Sequence, residues 1–295
     1  MAEDLLIQGR LRDIGGFAVH RSLPSAKKRQ LGPFVFLDHM GPVRLDETHA
    51  MDVRPHPHIG LATVTYLFEG RGFHRDTLGS AQMITAGDLN WMTAGRGIAH
   101  SERTPEEDRH ADRHVTMHGV QIWVGLPAAE EEREPSFAHW PKSELPLMNF
   151  SEALDIKILL GEFAGRRSPV EVLSPILFLD LQAKKDGLAE LSFGEKEIGF
   201  FLAAGTLRVN GQTLAEDDLL VAGDPSKAKI EFTAGARMVV IGGEPFPEPR
   251  HIWWNFVSSR KERIHQAAAD WQAQRFGRID GESDFTPLPT SPPLP

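Results

Sequence analysis

Residues 54–70 of the chain read RPHPHIGLATVTYLFEG. Within this stretch, residues 61–68 are mostly apolar, with β-branched and aromatic side chains, and Gly70 adds a turn signal, so a β-strand is predicted. Just before it, His56 and His58 lie two positions apart. Side chains alternate between the two faces of an extended backbone, so both imidazoles point to the same side. The stretch therefore predicts a strand-rich fold that presents two metal-binding side chains together.

A second pair of metal-binding side chains follows at His100-Ser101-Glu102, with the same spacing of two. On a strand, His100 and Glu102 also share one face. Together the two pairs offer three imidazoles and one carboxylate. Such a mixed nitrogen and oxygen set suits Fe(II), Mn, Ni, Cu or Zn better than Ca or Mg. We therefore predict one divalent transition metal bound by His56, His58, His100 and Glu102.

Short strand-like segments separated by turn signals continue after the first pair. Residues 120–124 read as a strand that ends before Pro127, and Gly79, Gly87 and Gly95 mark turns in between. Many short strands at such spacing are typical of a β-sandwich or a β-barrel, so we predict one of these folds for this part of the chain.

The same rhythm begins again after a Pro- and Glu-rich stretch at residues 128–146. The predicted strands of this second set are residues 176–181, 198–202, 207–211, 218–221 and 238–241. Its strongest turn signal is Asn210-Gly211, a preferred dipeptide of two-residue hairpins. The chain has no histidine between His139 and His251. Two similar β-units in tandem are therefore predicted, of which only the first can hold the metal.

The C-terminal region has a different pattern. Residues 259–262 read SRKE, which matches a helix capping box, and Ile264, Ala268 and Trp271 follow at helical spacing. We predict one amphipathic helix here that packs back on a barrel. Residues 286–295 are rich in proline and predict a tail that is either loose or strapped down.

The composition fits a folded protein without nucleic-acid or membrane partners. The chain has 295 residues, of which 41% are hydrophobic, and a formal net charge of -9. This acidic balance offers no positive field for phosphates or for an acidic membrane surface. The N-terminus lacks the basic start and apolar run of a signal peptide, and no stretch reaches the length of a membrane span. Because there are no cysteines, we expect a cytoplasmic protein whose metal is held by histidines and carboxylates.

Four longer segments strongly resemble the pirin family: residues 36–42 (FLDHMGP), 54–60 (RPHPHIG), 63–66 (TVTY) and 91–102 (WMTAGRGIAHSE). Pirins are two-domain cupins. The resemblance implies an all-β fold of two tandem cupin barrels, each a double-stranded β-helix or jelly roll, with a C-terminal helix. It implies an N-terminal metal-binding cupin at residues 1–140 and a C-terminal metal-free cupin at residues 141–295, which includes the terminal helix and the Pro-rich tail.

The resemblance also implies a mononuclear metal, usually iron, in the N-terminal barrel. Its ligands correspond to His56, His58, His100 and Glu102 of this chain. In other cupins a glutamate ligand follows the first histidine pair by a few residues, near Thr63 here, whereas in pirins the later glutamate supplies the carboxylate. Mn, Ni, Cu or Zn suit the same donors as Fe(II).

The resemblance leaves the function open. Bacterial pirins resemble quercetin 2,3-dioxygenases, which implies a metal-dependent dioxygenase that cleaves flavonols such as quercetin with O₂ and releases carbon monoxide and a depside. Glu102 would then be the catalytic base that takes the substrate proton, provided that its bond to the metal is weak or long. Nuclear pirins resemble redox-sensing transcriptional cofactors, which implies instead a non-enzymatic metal- or redox-sensing protein that regulates a partner protein. A dioxygenase of another enediol is a third alternative, and family membership does not choose among them.

Other histidines allow further interpretations. His110, His114 and His118 are spaced by four, which would form a metal clamp on a helix. The β-branched residues that follow favour a strand, and two neighbouring arginines would repel a cation, so we predict a loop that leads into a strand. His39 and His74 either orient a metal ligand or have a structural role.

Overall fold

Our computed structural model describes residues 3–14, 17–46, 50–110, 115–194 and 196–291. The chain divides into two compact units. The first barrel unit comprises residues 12–19, 40–140 and 247–295, and the second barrel unit comprises residues 1–11, 20–39 and 141–246. Within the described ranges, strands dominate both units, and no helix has the length and apolar character needed to cross a bilayer.

The strands up to Trp140 lie mainly in the first barrel unit, although their residues within 1–11 and 20–39 belong to the second barrel unit. They are β1 (Leu5–Gln8), β2 (Arg10–Asp13), β3 (Ala18–Leu23), β4 (Phe34–Arg44), β5 (Asp52–His58), β6 (Leu61–Glu69), β7 (Arg71–Asp76), β8 (Ala81–Thr85), β9 (Leu89–Thr93), β10 (Ile98–Arg103), β11 (Thr116–Gly125) and β12 (Ser136–Trp140). A four-stranded sheet has the order β5-β10-β7-β8, and a seven-stranded sheet has the order β12-β9-β6-β11-β4-β3-β2. Single 3-10 turns occur at Glu106–Asp108 and Ala128–Glu130.

The later strands repeat this arrangement. They are β13 (Leu147–Asn149), β14 (Leu154–Leu160), β15 (Glu162–Phe163), β16 (Arg166–Arg167), β17 (Ile176–Ala183), β18 (Gly187–Leu191), β19 (Glu197–Ala204), β20 (Leu207–Val209), β21 (Gln212–Leu214), β22 (Asp218–Val221), β23 (Ala228–Phe232), β24 (Arg237–Gly243), β25 (His251–Trp253) and β26 (Phe256–Ser258). One sheet has the order β1-β22-β19-β24-β17-β14-β13, a second has the order β18-β23-β20-β21, and the pairs β15-β16 and β25-β26 stand apart. The helix α1 (Lys261–Gln272) follows.

The predicted all-β fold, with two barrels and one C-terminal helix, is confirmed. The strand predicted at residues 61–68 lies within β6. The predicted hairpin joins β20 to β21, where Val209 pairs with Gln212. Asn210 and Gly211 have φ values of 51° and 84°, and this left-handed conformation explains the Asn-Gly dipeptide.

The second barrel unit has a continuous apolar interior. Its facing strands contribute fully buried side chains, among them Leu179, Phe200 and Val240. Removing each such side chain from water contributes roughly 1.5–3 kcal/mol to folding. Non-polar packing therefore holds this barrel together.

Both ends of the chain depart from the predicted division at residue 140. β1 pairs antiparallel with β22, so the N-terminal strand belongs to the second barrel unit. The segment after Phe246, with α1, belongs to the first barrel unit. There Trp271 Nε1 donates to the Thr286 carbonyl (2.9 Å), and the Thr286 N–H donates to the Pro55 carbonyl (2.8 Å). A local pattern predicts a strand or a helix, but it does not identify the distant partner.

The start of α1 also differs from the predicted capping box. The N-cap residue is Arg260, and no side chain caps the helix there. Ser259 instead donates its backbone N–H to Glu131 Oε1 (2.8 Å) and its hydroxyl to Glu131 Oε2 (3.0 Å). A carboxylate that is distant in sequence therefore engages the residue that was predicted to cap the helix.

Glu131 is a buried anchor for the C-terminal segment of the first barrel unit. Its Oε1 lies 3.0 Å from Arg250 Nε, and both side chains are 2% exposed. Ser258 Oγ donates to Glu131 Oε2 (2.9 Å), and Arg250 Nη2 donates to the Leu126 carbonyl (2.9 Å). The ion pair and the hydrogen bonds together compensate the buried charges of Glu131 and Arg250, which water does not reach.

Glu131→Gln is expected to lower the free energy of unfolding by about 3 kcal/mol, because the buried Arg250 guanidinium loses its counter-ion. Chemical denaturation followed by circular dichroism measures this change. Glu132→Gln is the matched control, because Glu132 is exposed and pairs with Arg260 and Arg263 at the surface. The control should cost less than about 1 kcal/mol. Equal losses in the two variants would contradict the anchoring role of Glu131.

Candidate metal centre

Two adjacent strands bring three imidazoles together. β5 and β10 pair antiparallel, with His100 opposite His56 and Ile98 opposite His58. His56 and His58 occupy one face of β5, so all three rings enter the same space. One nitrogen atom from each ring lies within 4.8 Å of one from each of the others, and all three residues are buried. The structure thus brings together the three histidines that the sequence predicted.

The hydrogen bonds of His56 and His58 determine which ring nitrogen is free. His56 Nδ1 donates to the Arg54 carbonyl (2.8 Å), and His58 Nδ1 donates to the Asn255 carbonyl (3.2 Å). A carbonyl oxygen only accepts, so each neutral ring carries its hydrogen on Nδ1. Each Nε2 therefore presents a lone pair, which is the form that binds a metal.

His100 and His58 meet in a geometry that fits a shared ion. Their Nε2 atoms lie 3.1 Å apart. This distance fits a hydrogen bond if His100 carries a hydrogen on Nε2, and it fits a shared ion if both Nε2 atoms carry lone pairs. A first-row metal bound about 2.1 Å from each nitrogen, with a right angle between the bonds, would separate the nitrogens by about 3.0 Å. The donor set and this spacing both suit one transition-metal ion.

Burial keeps the three imidazoles neutral. It lowers the pKa of His56 to about 4, and the neighbouring His74 acts in the same direction. The pKa values of His58 and His100 also lie well below the usual value, because of burial and then because of the adjacent imidazoles. No proton therefore competes strongly for the ligand nitrogens at neutral pH.

The metal-free protein is expected to lose stability as the pH falls from 6.5 to about 4, the unfolded and folded pKa values of His56. Between these two pH values His56 is protonated in the unfolded chain but neutral in the folded protein. The stabilisation that is fully present above pH 6.5 is therefore lost as the pH falls towards 4. The loss from His56 alone should be about 3 kcal/mol. Urea unfolding at pH 7 and pH 4.5 measures it, with His56→Gln as the comparison. A variant as pH-sensitive as the wild-type protein would contradict this cause.

Glu102, the predicted fourth ligand, does not belong to the candidate ligand group that His56, His58 and His100 form. The pairing of β10 with β5 shifts register between His100 and Glu102, and on the other side Glu102 lies opposite His74. Its Oε1 accepts a hydrogen bond from Thr65 Oγ1 (3.1 Å), and Gln121 also hydrogen-bonds the carboxylate. Ligation by Glu102 therefore remains a prediction.

The surroundings of Glu102 change its acidity. Burial raises the pKa of Glu102, and the nearby His74 and the hydrogen bonds from Thr65 and Gln121 offset only part of this rise. A carboxylate with a raised pKa is a better proton acceptor at neutral pH than an ordinary surface carboxylate. The position suits a base beside the three histidines.

Aromatic rings enclose the imidazoles. Trp123 contacts His58 edge to face, with ring centroids 5.0 Å apart and an interplanar angle of 76°. Phe137 stacks on His74, with centroids 4.3 Å apart and an angle of 16°. These rings limit the access of water and restrict rotation of the imidazoles that they contact.

Asp76 is a residue that the sequence reasoning missed. β7 alternates in burial, so Gly72, His74 and Asp76 are buried while the residues between them are partly exposed. His74 Nδ1 lies 3.3 Å from His100 Nδ1, and His74 Nε2 lies 3.0 Å from Asp76 Oδ2. The period-two pattern of residues 71–76 was the available signal for this arrangement.

The other histidines have different surroundings. His39 Nδ1 pairs with Asp217 Oδ1 (2.7 Å) in the second barrel unit. His118 is buried on β11 against Phe68, and His110 is exposed. His114, the middle member of the series spaced by four, lies outside the described residues. Among the residues that the structure describes, neither His110 nor His118 belongs to a candidate ligand group.

Comparisons with known proteins match both barrels. The family model "Pirin" matches residues 16–124, and the model "Pirin C-terminal cupin domain" matches residues 178–277. A "Pirin-like protein" of Caulobacter vibrioides is 42% identical over 290 residues, which cover 97% of this chain and 99% of the relative. "Pirin-1" of Arabidopsis thaliana is 29% identical over 270 residues and 89% of each chain.

A solved structure is also similar over the full length. The crystal structure of quercetin 2,3-dioxygenase from Acinetobacter baumannii is 36% identical in sequence, with a TM-score of 0.92. The similarity covers 99% of this chain and 97% of that chain.

Proposed function

This chain belongs to the pirin family, and we propose that it is a metal-dependent dioxygenase that cleaves flavonols such as quercetin with O₂. The observation that carries the proposal is the convergence of His56, His58 and His100 as neutral imidazoles, of which His56 and His58 present Nε2 lone pairs. The similarity to a quercetin 2,3-dioxygenase of known structure supports the same reaction class.

We assign the ion to His56, His58 and His100, with Glu102 as a fourth ligand whose bond to the metal is weak enough for its carboxylate to accept a proton. Three nitrogen donors and one oxygen donor suit Fe(II), and Mn, Ni, Cu or Zn bind similar sets. When bound, the metal supplies a Lewis acid that lowers the pKa of an enolic hydroxyl and a centre at which O₂ reacts. Four protein ligands would leave room for substrate oxygen and O₂ at a six-coordinate ion.

Glu102 takes the substrate proton in this proposal. Its carboxylate is held by Thr65 and Gln121 beside the histidines, and burial raises its pKa, which makes it a better proton acceptor. Removal of the enolic proton produces the electron-rich enolate that reacts with O₂. The flavonol and O₂ are converted into a depside and carbon monoxide, and Glu102 returns the proton to the product.

The protein environment favours this chemistry over hydrolytic side reactions. Trp123 and Phe137 contact the imidazoles and exclude water from one side of the centre. Because the pKa values of His56, His58 and His100 are lowered, these imidazoles are poor proton acceptors, and Glu102 accepts the proton. Positioning and exclusion of water are therefore the contributions of the chain itself.

Oxygen uptake tests the proposal. Iron-loaded protein should consume O₂ with quercetin and release one carbon monoxide per O₂, whereas chelator-treated protein should not. His110→Ala is the control, since His110 is exposed and outside the candidate centre. Uptake with an enediol but no flavonol would change the substrate class. If the iron-loaded protein consumes no O₂ with any flavonol or enediol, the enzyme proposal is wrong and the metal- or redox-sensing role takes its place.

A further inference from the structure

His100 differs from the other two candidate ligands in how its Nδ1 is held. His56 and His58 use backbone carbonyls, whereas His100 Nδ1 faces the side chain of His74 at 3.3 Å. His74 in turn faces Asp76, whose Oδ2 lies 3.0 Å from His74 Nε2. The three side chains form a buried series that ends at a carboxylate.

The carboxylate sets the direction of every hydrogen bond in this series. Asp76 Oδ1 accepts from the backbone N–H groups of Leu78 (2.9 Å) and Ser80 (3.0 Å), so the turn after β7 fixes the carboxylate. Burial alone would raise the pKa of Asp76, but the hydrogen bonds from His74 and Ser80 outweigh it, and the pKa lies below its usual value. Asp76 is therefore an acceptor only.

An acceptor at Asp76 requires a hydrogen on His74 Nε2. When His100 Nε2 binds the metal, the ring hydrogen of His100 lies on Nδ1, and His74 Nδ1, at 3.3 Å, accepts it. In this arrangement His100 Nε2 presents a lone pair beside that of His58 Nε2, and the ion binds both. Phe137, stacked on His74, keeps the middle ring in the plane that this series needs.

We propose that His74 and Asp76 are positioning residues that hold His100 in the Nδ1–H tautomer, so that its Nε2 faces the metal. The proposal rests on the metal site assigned above. Neither residue touches the ion in this arrangement. Partners of this kind fix the ring orientation of metal-bound histidines and raise their basicity.

Asp76→Asn tests the proposal because it changes the hydrogen-bond direction without changing the shape. The amide oxygen of the variant stays with the N–H groups of Leu78 and Ser80, so its NH₂ group faces His74 Nε2. His74 must then accept at Nε2 and donate from Nδ1. This reversal moves the hydrogen of His100 to Nε2, where His58 Nε2 at 3.1 Å accepts it. The reversed series is satisfied within the protein but cannot bind the ion through His100.

Asp88→Asn is the matched control. Asp88 is also a buried carboxylate in a turn of the same barrel, where it accepts from the Thr85 N–H (3.1 Å) and hydroxyl (2.7 Å). It contacts none of the three histidines through these bonds. Thermal unfolding of both metal-free variants shows whether either substitution disturbs the fold.

The tautomer of His100 and the metal affinity of the variants test the positioning role of His74 and Asp76. In ¹⁵N-histidine spectra recorded with one equivalent of Zn²⁺, His100 should be the Nδ1–H tautomer in the wild type and the Nε2–H tautomer in Asp76→Asn. In calorimetric titration with Mn²⁺, Asp76→Asn should bind roughly 10–100-fold more weakly, and Asp88→Asn should bind like the wild type. An unchanged tautomer, or an affinity equal to that of the control, would overturn the proposal. Wild-type protein that binds no metal would overturn the proposed function instead, whereas a wild type that binds metal with the same affinity as Asp76→Asn would overturn only the positioning role.

Discussion

His58→Ala is expected to abolish metal binding and, with it, oxygen uptake with flavonols. His58 Nε2 lies 3.1 Å from His100 Nε2, so the substitution removes a nitrogen from the centre of the ligand group. Loss of residues that only orient a ligand typically costs about 10–100-fold in metal affinity, and loss of the ligand itself should cost more. Metal content after purification, together with an oxygen electrode, measures both effects.

The variant should remain folded, because both barrels have their own apolar cores and do not depend on a metal as a zinc finger does. His110→Ala is the matched control and should keep both metal and activity. His114, the middle member of the series spaced by four, lies outside the described residues and is not used as a control. Loss of the metal from the control, together with a His58→Ala variant that keeps it, would contradict the assignment of the site.

Glu102→Gln is expected to reduce the rate of oxygen uptake by about 10²–10⁴-fold, the usual contribution of a positioned general base. The amide retains an oxygen for the metal and a partner for Thr65, but it does not take up a proton. Metal affinity should therefore fall much less than in His58→Ala. Steady-state rates at saturating quercetin, corrected for metal content, separate the two effects.

Glu134→Gln is the control for Glu102→Gln, because the Glu134 side chain is 76% exposed and pairs with Arg96 at the surface. Its rate should equal that of the wild type. A metal-loaded Glu102→Gln variant with the wild-type rate would show that another group accepts the substrate proton. Loss of metal as complete as in His58→Ala would make Glu102 an indispensable ligand and would contradict its role as a weakly bound base.

Period-two alternation predicted the shared face of His56 and His58, and the second histidine motif supplied His100 as their partner. His56 and His58 share a face because β5 is extended, and His100 meets them because β10 is the neighbouring strand. The same rule, applied to residues 71–76, would have placed His74 and Asp76 inside the barrel. The sequence indicates a role for His74 but not for Asp76, since nothing local distinguishes this carboxylate from one in an ordinary turn.

The features that were not predicted depend on partners distant in sequence. The register shift after His100 and the hydrogen bond from Thr65 decide where the Glu102 carboxylate lies, and neither has a local signal. Ser259 binds Glu131 rather than capping α1 for the same reason. Local composition predicts the kind of element well, whereas its partner depends on the tertiary fold.

Anomalous diffraction from crystals of the manganese-loaded protein tests the metal site most directly. We predict a single strong anomalous peak at about 2.0–2.3 Å from the Nε2 atoms of His56, His58 and His100, the usual range for nitrogen ligands of first-row metals. A peak in the second barrel unit, a peak bound through Nδ1 of these histidines, or no peak at the three Nε2 atoms would contradict the proposed centre.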